Sequence, residues 1–211
     1  MFFKVTLYIL SIGSIAGQLT GLNNIAVTKQ NAFCAASGAG EATGQQQANG
    51  GQMCSSTVQG VIPDVNNMVS TMIQEPASGA TLNGAQGFQV KFSSINLNSG
   101  FGLNAQNQFL LAPQTIGANG KIEGLQQLVI QKINNPNAAP AAAQVSFFQA
   151  VNQKSNNNGV GNFNVNVPAG AVKTKGLHRI CTMAAAAAMQ PVVMPIAQRG
   201  AQDDCIRVNI N

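Results

Sequence analysis

Four cysteines, one histidine and six carboxylates are all that 211 residues offer for covalent, acid–base or metal chemistry. Cys34, Cys54, Cys181 and Cys205 are even in number and contain no CxxC, which suits a disulfide framework better than a redox or zinc site. Three pairings are open. Cys34–Cys54 and Cys181–Cys205 are favoured because each closes a local loop, and a loop of about 20 residues stabilises the fold by about 3 kcal/mol in the chain-entropy picture. A Ser–His or Cys–His couple can only be assembled around His178, and Lys175 and Arg179 on either side discourage a protonated ring. Asp203-Asp204 is the only carboxylate pair. Neighbours on an extended chain point to opposite faces, so the two make a poor general acid/base pair, and two acids are few for calcium. A turn or capping role beside Cys205 is expected instead. Gly38, Gly40 and Gly44 resemble a phosphate loop in composition only, since no Lys-Ser/Thr follows. No enzyme activity, cofactor or metal is expected.

The remaining charge is thin, 8% of residues with a net +5. Lys173-Thr174-Lys175 with Arg179 is the densest basic group and makes a weak patch. Trp is absent and the one tyrosine is Tyr8, so the basic stripe with interleaved aromatics that nucleic acid requires is missing, and no nucleic-acid partner is expected. Asn and Gln supply the polarity, at roughly a fifth of the chain; such a surface responds little to pH or salt, and amide ladders can stack where strands are exposed.

These residues must be positioned by strands. Lys4, the apolar run 5–13 and the small residues Ser14 and Ala16 read as a signal peptide over 1–16, too short for the roughly 20 residues of a membrane span. The expected product is secreted and extracellular, with no membrane span. Residues 17–60 read as an irregular arm tied by Cys34–Cys54, because the Gly- and Gln-rich stretch 38–51 has little to bury. From Val61 onward the pattern turns to period two. Phe88, Val90 and Phe92 alternate with Gln89, Lys91 and Ser93; Phe163, Val165 and Val167 with asparagines; Ile206, Val208 and Ile210 with Arg207, Asn209 and Asn211. Leu128-Val129-Ile130 is apolar enough for burial on both sides, and Val145, Phe147 and Phe148 form another run. Further strands are expected over 67–73, 109–112, 176–182 and 192–197, while the alanine runs 138–143 and 184–188 read as loops with at most one helical turn, interrupted or ended by Pro140 and Pro191. The phenylalanines Phe88, Phe92, Phe101, Phe109, Phe147, Phe148 and Phe163 are expected to be the bulk of the core, although Phe101, between two glycines, also suits an exposed loop. The fold class this predicts is all-β, an antiparallel immunoglobulin-like β-sandwich over 61–211.

Several blocks in register carry a family resemblance. They are Val61-Ile62-Pro63-Asp64-Val65-Asn66-Asn67-Met68, Ile95-Asn96-Leu97-Asn98-Ser99-Gly100-Phe101, Asn104 to Phe109, Ala112 to Gly124, Val167-Pro168-Ala169-Gly170, and Gln190-Pro191-Val192-Val193 with 197–204. Over about 54–211 the chain resembles a family of secreted fungal proteins often mislabelled "ribosomal protein S17-like". The resemblance implies an extracellular fungal protein with no ribosomal role. That family carries Gly-His-Ser-His where this chain has Gly124-Leu125-Gln126-Gln127, and histidines in place of Met189 and Arg199. If those histidines hold a metal in relatives, this chain has lost the ligands. Gln127, His178, Met189 and Arg199 therefore mark a possible binding surface rather than a metal site. The function expected is surface recognition or a structural role at the cell wall or host interface, with cell-wall polysaccharide or a host protein as partner. The alternatives are a carbohydrate-binding module or decayed metal-dependent carbohydrate-active domain, and a protease-inhibiting or fibril-forming effector.

Overall fold

The computed structural model of the chain describes residues 32–46 and 52–211. The expected leader at 1–16, and 17–31 and 47–51 of the expected arm, lie outside the described residues. In chain order the elements are α1 (Ala32–Ser37), β1 (Gly40–Glu41), β2 (Met53–Cys54), β3 (Ser70–Glu75), β4 (Thr81–Leu82), β5 (Phe88–Ile95), β6 (Leu97–Ser99), β7 (Thr115–Ile116), β8 (Ile122–Lys132), β9 (Phe147–Val151), β10 (Gly161–Val167), β11 (Gly176–Ala186) and β12 (Cys205–Ile210). The described residues are thus mostly β, with several sheets, one short α-helix and two disulfides, Cys34–Cys54 and Cys181–Cys205.

Period two decides which side chains go inside. Along β10 the even-spaced Gly161, Phe163, Val165 and Val167 are buried and the asparagines between them are exposed. β10 pairs with β5 and β5 with β3 in one three-stranded antiparallel sheet. The larger sheet runs β4-β12-β11-β8, and the other edge of β8 is shared by β6 and β9. The two sheets meet in one apolar core: Ile73, Val90, Phe92, Phe163, Val165 and Val167 from the smaller sheet against Leu128, Ile130, Val151, Ile180, Ile206, Val208 and Ile210 from the larger. Phe92 and Phe163 pack with ring centroids 5.1 Å apart, and truncating a buried ring of this kind costs about 3–5 kcal/mol.

Four expectations need correction. Not every pairing is antiparallel: β12–β4, β6–β8 and β1–β2 are parallel, each only two or three residues long. Segments 109–112 and 192–197 form no strand. The alanine run does not turn at 184; β11 continues through Ala186, with Ala184, Ala185 and Ala186 opposite Gln126, Leu125 and Gly124 of β8. Tertiary pairing overrides alanine's helical preference here, and it needs Gly124, whose Cβ would lie 2.0 Å from the Ala185 carbonyl oxygen. Lastly, Phe92 and Phe163 are the fully buried rings, while Phe148 is exposed; Phe101 is exposed as its place between two glycines suggested.

Among the described residues, polar bonds tie the arm and the start of the domain to the loops around Gln114. Gln114 is buried, and its Nε2 donates to the Val61 and Val193 carbonyls while its Oε1 accepts from the Val193 amide. The Thr57 hydroxyl donates to the Leu110 carbonyl, and the Phe109 amide to the Gly44 carbonyl.

Candidate functional site

The long strands β8 and β11 set the geometry of the site. With Leu128, Ile130 and Ile180 turned to the core, their neighbours Gln127, Val129, Gln131, Arg179, Cys181 and Met183 must face outward. Register then builds rows across this outer face. Ala150, Gln127 and Met183 form one; Phe148, Val129, Cys181 and Cys205 the next; Gln131, Arg179 and Arg207 a third. Phe148 is 50% exposed and Met183 37% exposed. Leu125, further up β8, is buried.

Of the four residues singled out from the sequence, the structure brings two together. Gln127 Nε2 donates to Met189 Sδ at 3.5 Å, and Met189 holds a left-handed backbone with φ 71°, a conformation that costs a non-glycine residue about 1–2 kcal/mol. His178 is not on this surface. It is fully buried on the core side of β11, with Nδ1 2.9 Å from the Gly176 carbonyl oxygen and Nε2 3.0 Å from the Thr174 hydroxyl. Burial holds its pKa below the ordinary 6.5, against the Gly176 bond, with Lys132 adding to the depression. Arg199 is exposed and turns back on its own loop, Nη1 donating to the Ile196 carbonyl. The spacing of these four residues in sequence carries no sign of this separation, which follows from the phase of β11 and the path of the loop after Ala186.

Asp203 and Asp204 serve the backbone, beside the Cys181–Cys205 disulfide. Asp203 Oδ1 accepts from the Ala184 amide at 2.6 Å, and Asp204 Oδ2 from the Ile73 amide at 2.8 Å, so the second ties the β11–β12 connection to β3 of the opposite sheet. Burial pushes Asp203 up to about 6, against the lowering effect of the Ala184 bond. No group of three or more His, Cys, Asp or Glu side chains converges among the described residues. Sequence reasoning missed Met183 and Phe148 as surface residues. The signal was present in the two-residue period: once Leu128 and Ile130 are taken as core, Gln127 and Val129 face outward, but which residues lie opposite them depends on strand order.

The molecule these observations define is a disulfide-bonded, mostly β domain whose larger sheet turns apolar and amide side chains outward. Residues 71–211 match the CLU5d N-terminal domain family, and the chain belongs to that family. It is 39% identical over 175 residues to "Pathogenicity cluster 5 protein d" of Colletotrichum graminicola, a match covering 80% of this chain and 36% of the relative. The chain thus spans about a third of the length of that relative. Among solved structures, it is similar to a β-glucosidase from Listeria innocua, in complex with glucose (TM-score 0.33, 12% identity, 67% of this chain and 16% of that one) and in complex with gluconolactone at the same values; superpositions this loose define neither fold nor activity. Among the described residues no helix is long and apolar enough to cross a membrane.

Proposed function

We propose that this domain is a secreted, non-enzymatic recognition protein that acts at the cell wall or host interface through the outer face of its larger sheet. The observation that carries the reading is the character of that face: Phe148, Met183, Gln127 and Met189 present apolar and amide surface, while the one histidine is sealed in the core. Exposed apolar side chains gathered on one face of a folded domain favour contact with another molecule. The strand order supports an immunoglobulin-like frame for it: β3-β5-β10 faces β4-β12-β11-β8-β9, and the chain crosses between the two sheets from β3 to β4, β4 to β5, β5 to β6, β9 to β10 and β10 to β11. Two disulfides suit an oxidising compartment, and the Colletotrichum relative's name sets the family among proteins of a pathogenicity cluster.

Retention of the purified protein on cell-wall material tests this. Phe148→Ala combined with Met183→Ser is expected to weaken retention about tenfold, with an unchanged thermal midpoint. Retention indifferent to that double variant, or turnover of a wall polysaccharide by the purified protein, overturns the reading.

A further inference from the structure

Arg179 and Arg207 stand directly opposite each other on β11 and β12, both on the outer face, because Ile180, Ile206 and Val208 face the core. Directly opposed side chains in an antiparallel pair are about 5 Å apart at Cβ, and like charges there destabilise the sheet. No carboxylate relieves them. Glu75 pairs with Lys91 in the one ion pair among the described residues; Asp64 accepts from the Asn66 amide, Glu123 from the Thr115 hydroxyl, and Asp203 and Asp204 from Ala184 and Ile73. Glu41 lies in the arm strand β1. The elements around the arginines add only positive charge. Residues 133–153 carry none; the loop before β11 carries Lys173 and Lys175; and Lys132 at the end of β8 donates to the Lys175 carbonyl.

Arg179 is also held in place. Gln131 is 3% exposed, and its Oε1 accepts from Arg179 Nε at 3.0 Å and Nη2 at 2.6 Å. Its own Nε2 donates to the carbonyls of Ala141, Ala142 and Gln144. The guanidinium is therefore fixed by one edge, with Nη1 outside this clasp, and a fixed planar fork suits bidentate binding of a carboxylate. One row along the strands, about 7 Å away, lies the row of Phe148, Val129, Cys181 and Cys205, in which Phe148 is exposed and Val129 and Cys181 are buried.

We infer that Arg179 and Arg207 form an anion site for the carboxylates of an acidic polysaccharide, whose sugar rings lie along the Phe148 row. A uronate sugar carries both chemistries at once, a carboxylate for the guanidinium pair and an apolar ring face for the exposed Phe148. Bridging by the carboxylate also relieves the repulsion between the two arginines. This inference rests on the recognition face proposed above and names the partner it takes.

Affinity electrophoresis of the full chain through gels containing polygalacturonate, laminarin or poly-L-glutamate tests it. Polygalacturonate is expected to retard the wild type, less so as salt is raised. Arg179→Gln with Arg207→Gln is expected to weaken that binding by about tenfold or more, whereas Lys91→Gln, on the other sheet, changes it less than about twofold. Without ligand, Arg207→Gln raises the thermal midpoint by about 1–2 °C as the repulsion is relieved. Absence of retardation, an equal loss in Lys91→Gln, or tighter arginine-dependent binding to poly-L-glutamate overturns the inference. If wall retention depends on Phe148 while the arginine variants bind polygalacturonate as the wild type does, the recognition face stands and this inference alone falls.

Discussion

Gln127 and Gln131 are two rows apart on the same face of β8, yet their replacement by leucine should have very different effects. Gln131 is buried and saturated: two carbonyl acceptors at 3.1 Å, a third at 3.4 Å, and two contacts from the Arg179 guanidinium. Each good neutral bond is worth about 1 kcal/mol net, and the bond from a charged donor about 1 kcal/mol here, because Arg179 is only half-buried and water replaces part of the loss. Gln131→Leu is thus expected to destabilise by about 3 kcal/mol, or about 6–12 °C in thermal midpoint for a chain of this size. Gln127 is half-buried with one bond to a thioether, so Gln127→Leu is expected to cost about 0.5 kcal/mol or less. Thermal and urea unfolding of the two variants, followed by circular dichroism, make the comparison. Equal destabilisation, or a loss under about 1 kcal/mol for Gln131→Leu, would refute the claim that the 141–144 loop and Arg179 are fixed through this one amide.

Two further outcomes follow from buried groups. Asp203, raised to about 6 from 3.8, contributes stability that is present below about pH 4 and lost as pH rises through about 6; His178, depressed below 6.5, contributes stability that is present above pH 6.5 and lost as pH falls through its lower folded value. Between pH 7 and 5 the two oppose each other, so the midpoint of Asp203→Asn, which leaves the histidine alone, falls more with acid than that of the wild type; a rise in that variant refutes the assignment. Gly124→Ala places a methyl 2.0 Å from the Ala185 carbonyl oxygen and is expected to cost about 3 kcal/mol or more by forcing β8 from β11, read as lost expression of folded protein or a midpoint at least about 6 °C lower.

Much of the frame was legible in the residues themselves. Alternation placed β5, β10 and β12 with their buried faces correctly, because a strand with one side in water has to show period two. Cysteine parity and loop length pointed to the two disulfides that are present. The alanines of β11 misled because small residues carry almost no pattern: Ala184 to Ala186 are strand only because β8 offers Gly124 and its backbone opposite them. Phe148 misled for a related reason. An apolar run states that some residues are buried, but only the register of β9 with β8, which sets Phe148 opposite Val129, turns Phe148 outward.

The four residues marked as a possible surface show the same division. That the chain carries a single histidine, scattered cations and six carboxylates is a matter of composition, and no folding event alters it. Where those groups stand is not written in their spacing. His178 is in the core because β11 has Ile180 and not Arg179 in phase with Leu128 and Ile130, and Arg199 remains apart because its loop satisfies its own carbonyl. Arg179 and Arg207, 28 positions apart in the chain, are neighbours solely through the register of β11 with β12. Sequence sets the inventory of chemical groups and the period of each strand. Strand order and register, which arise from closing one shared core, decide which of those groups meet.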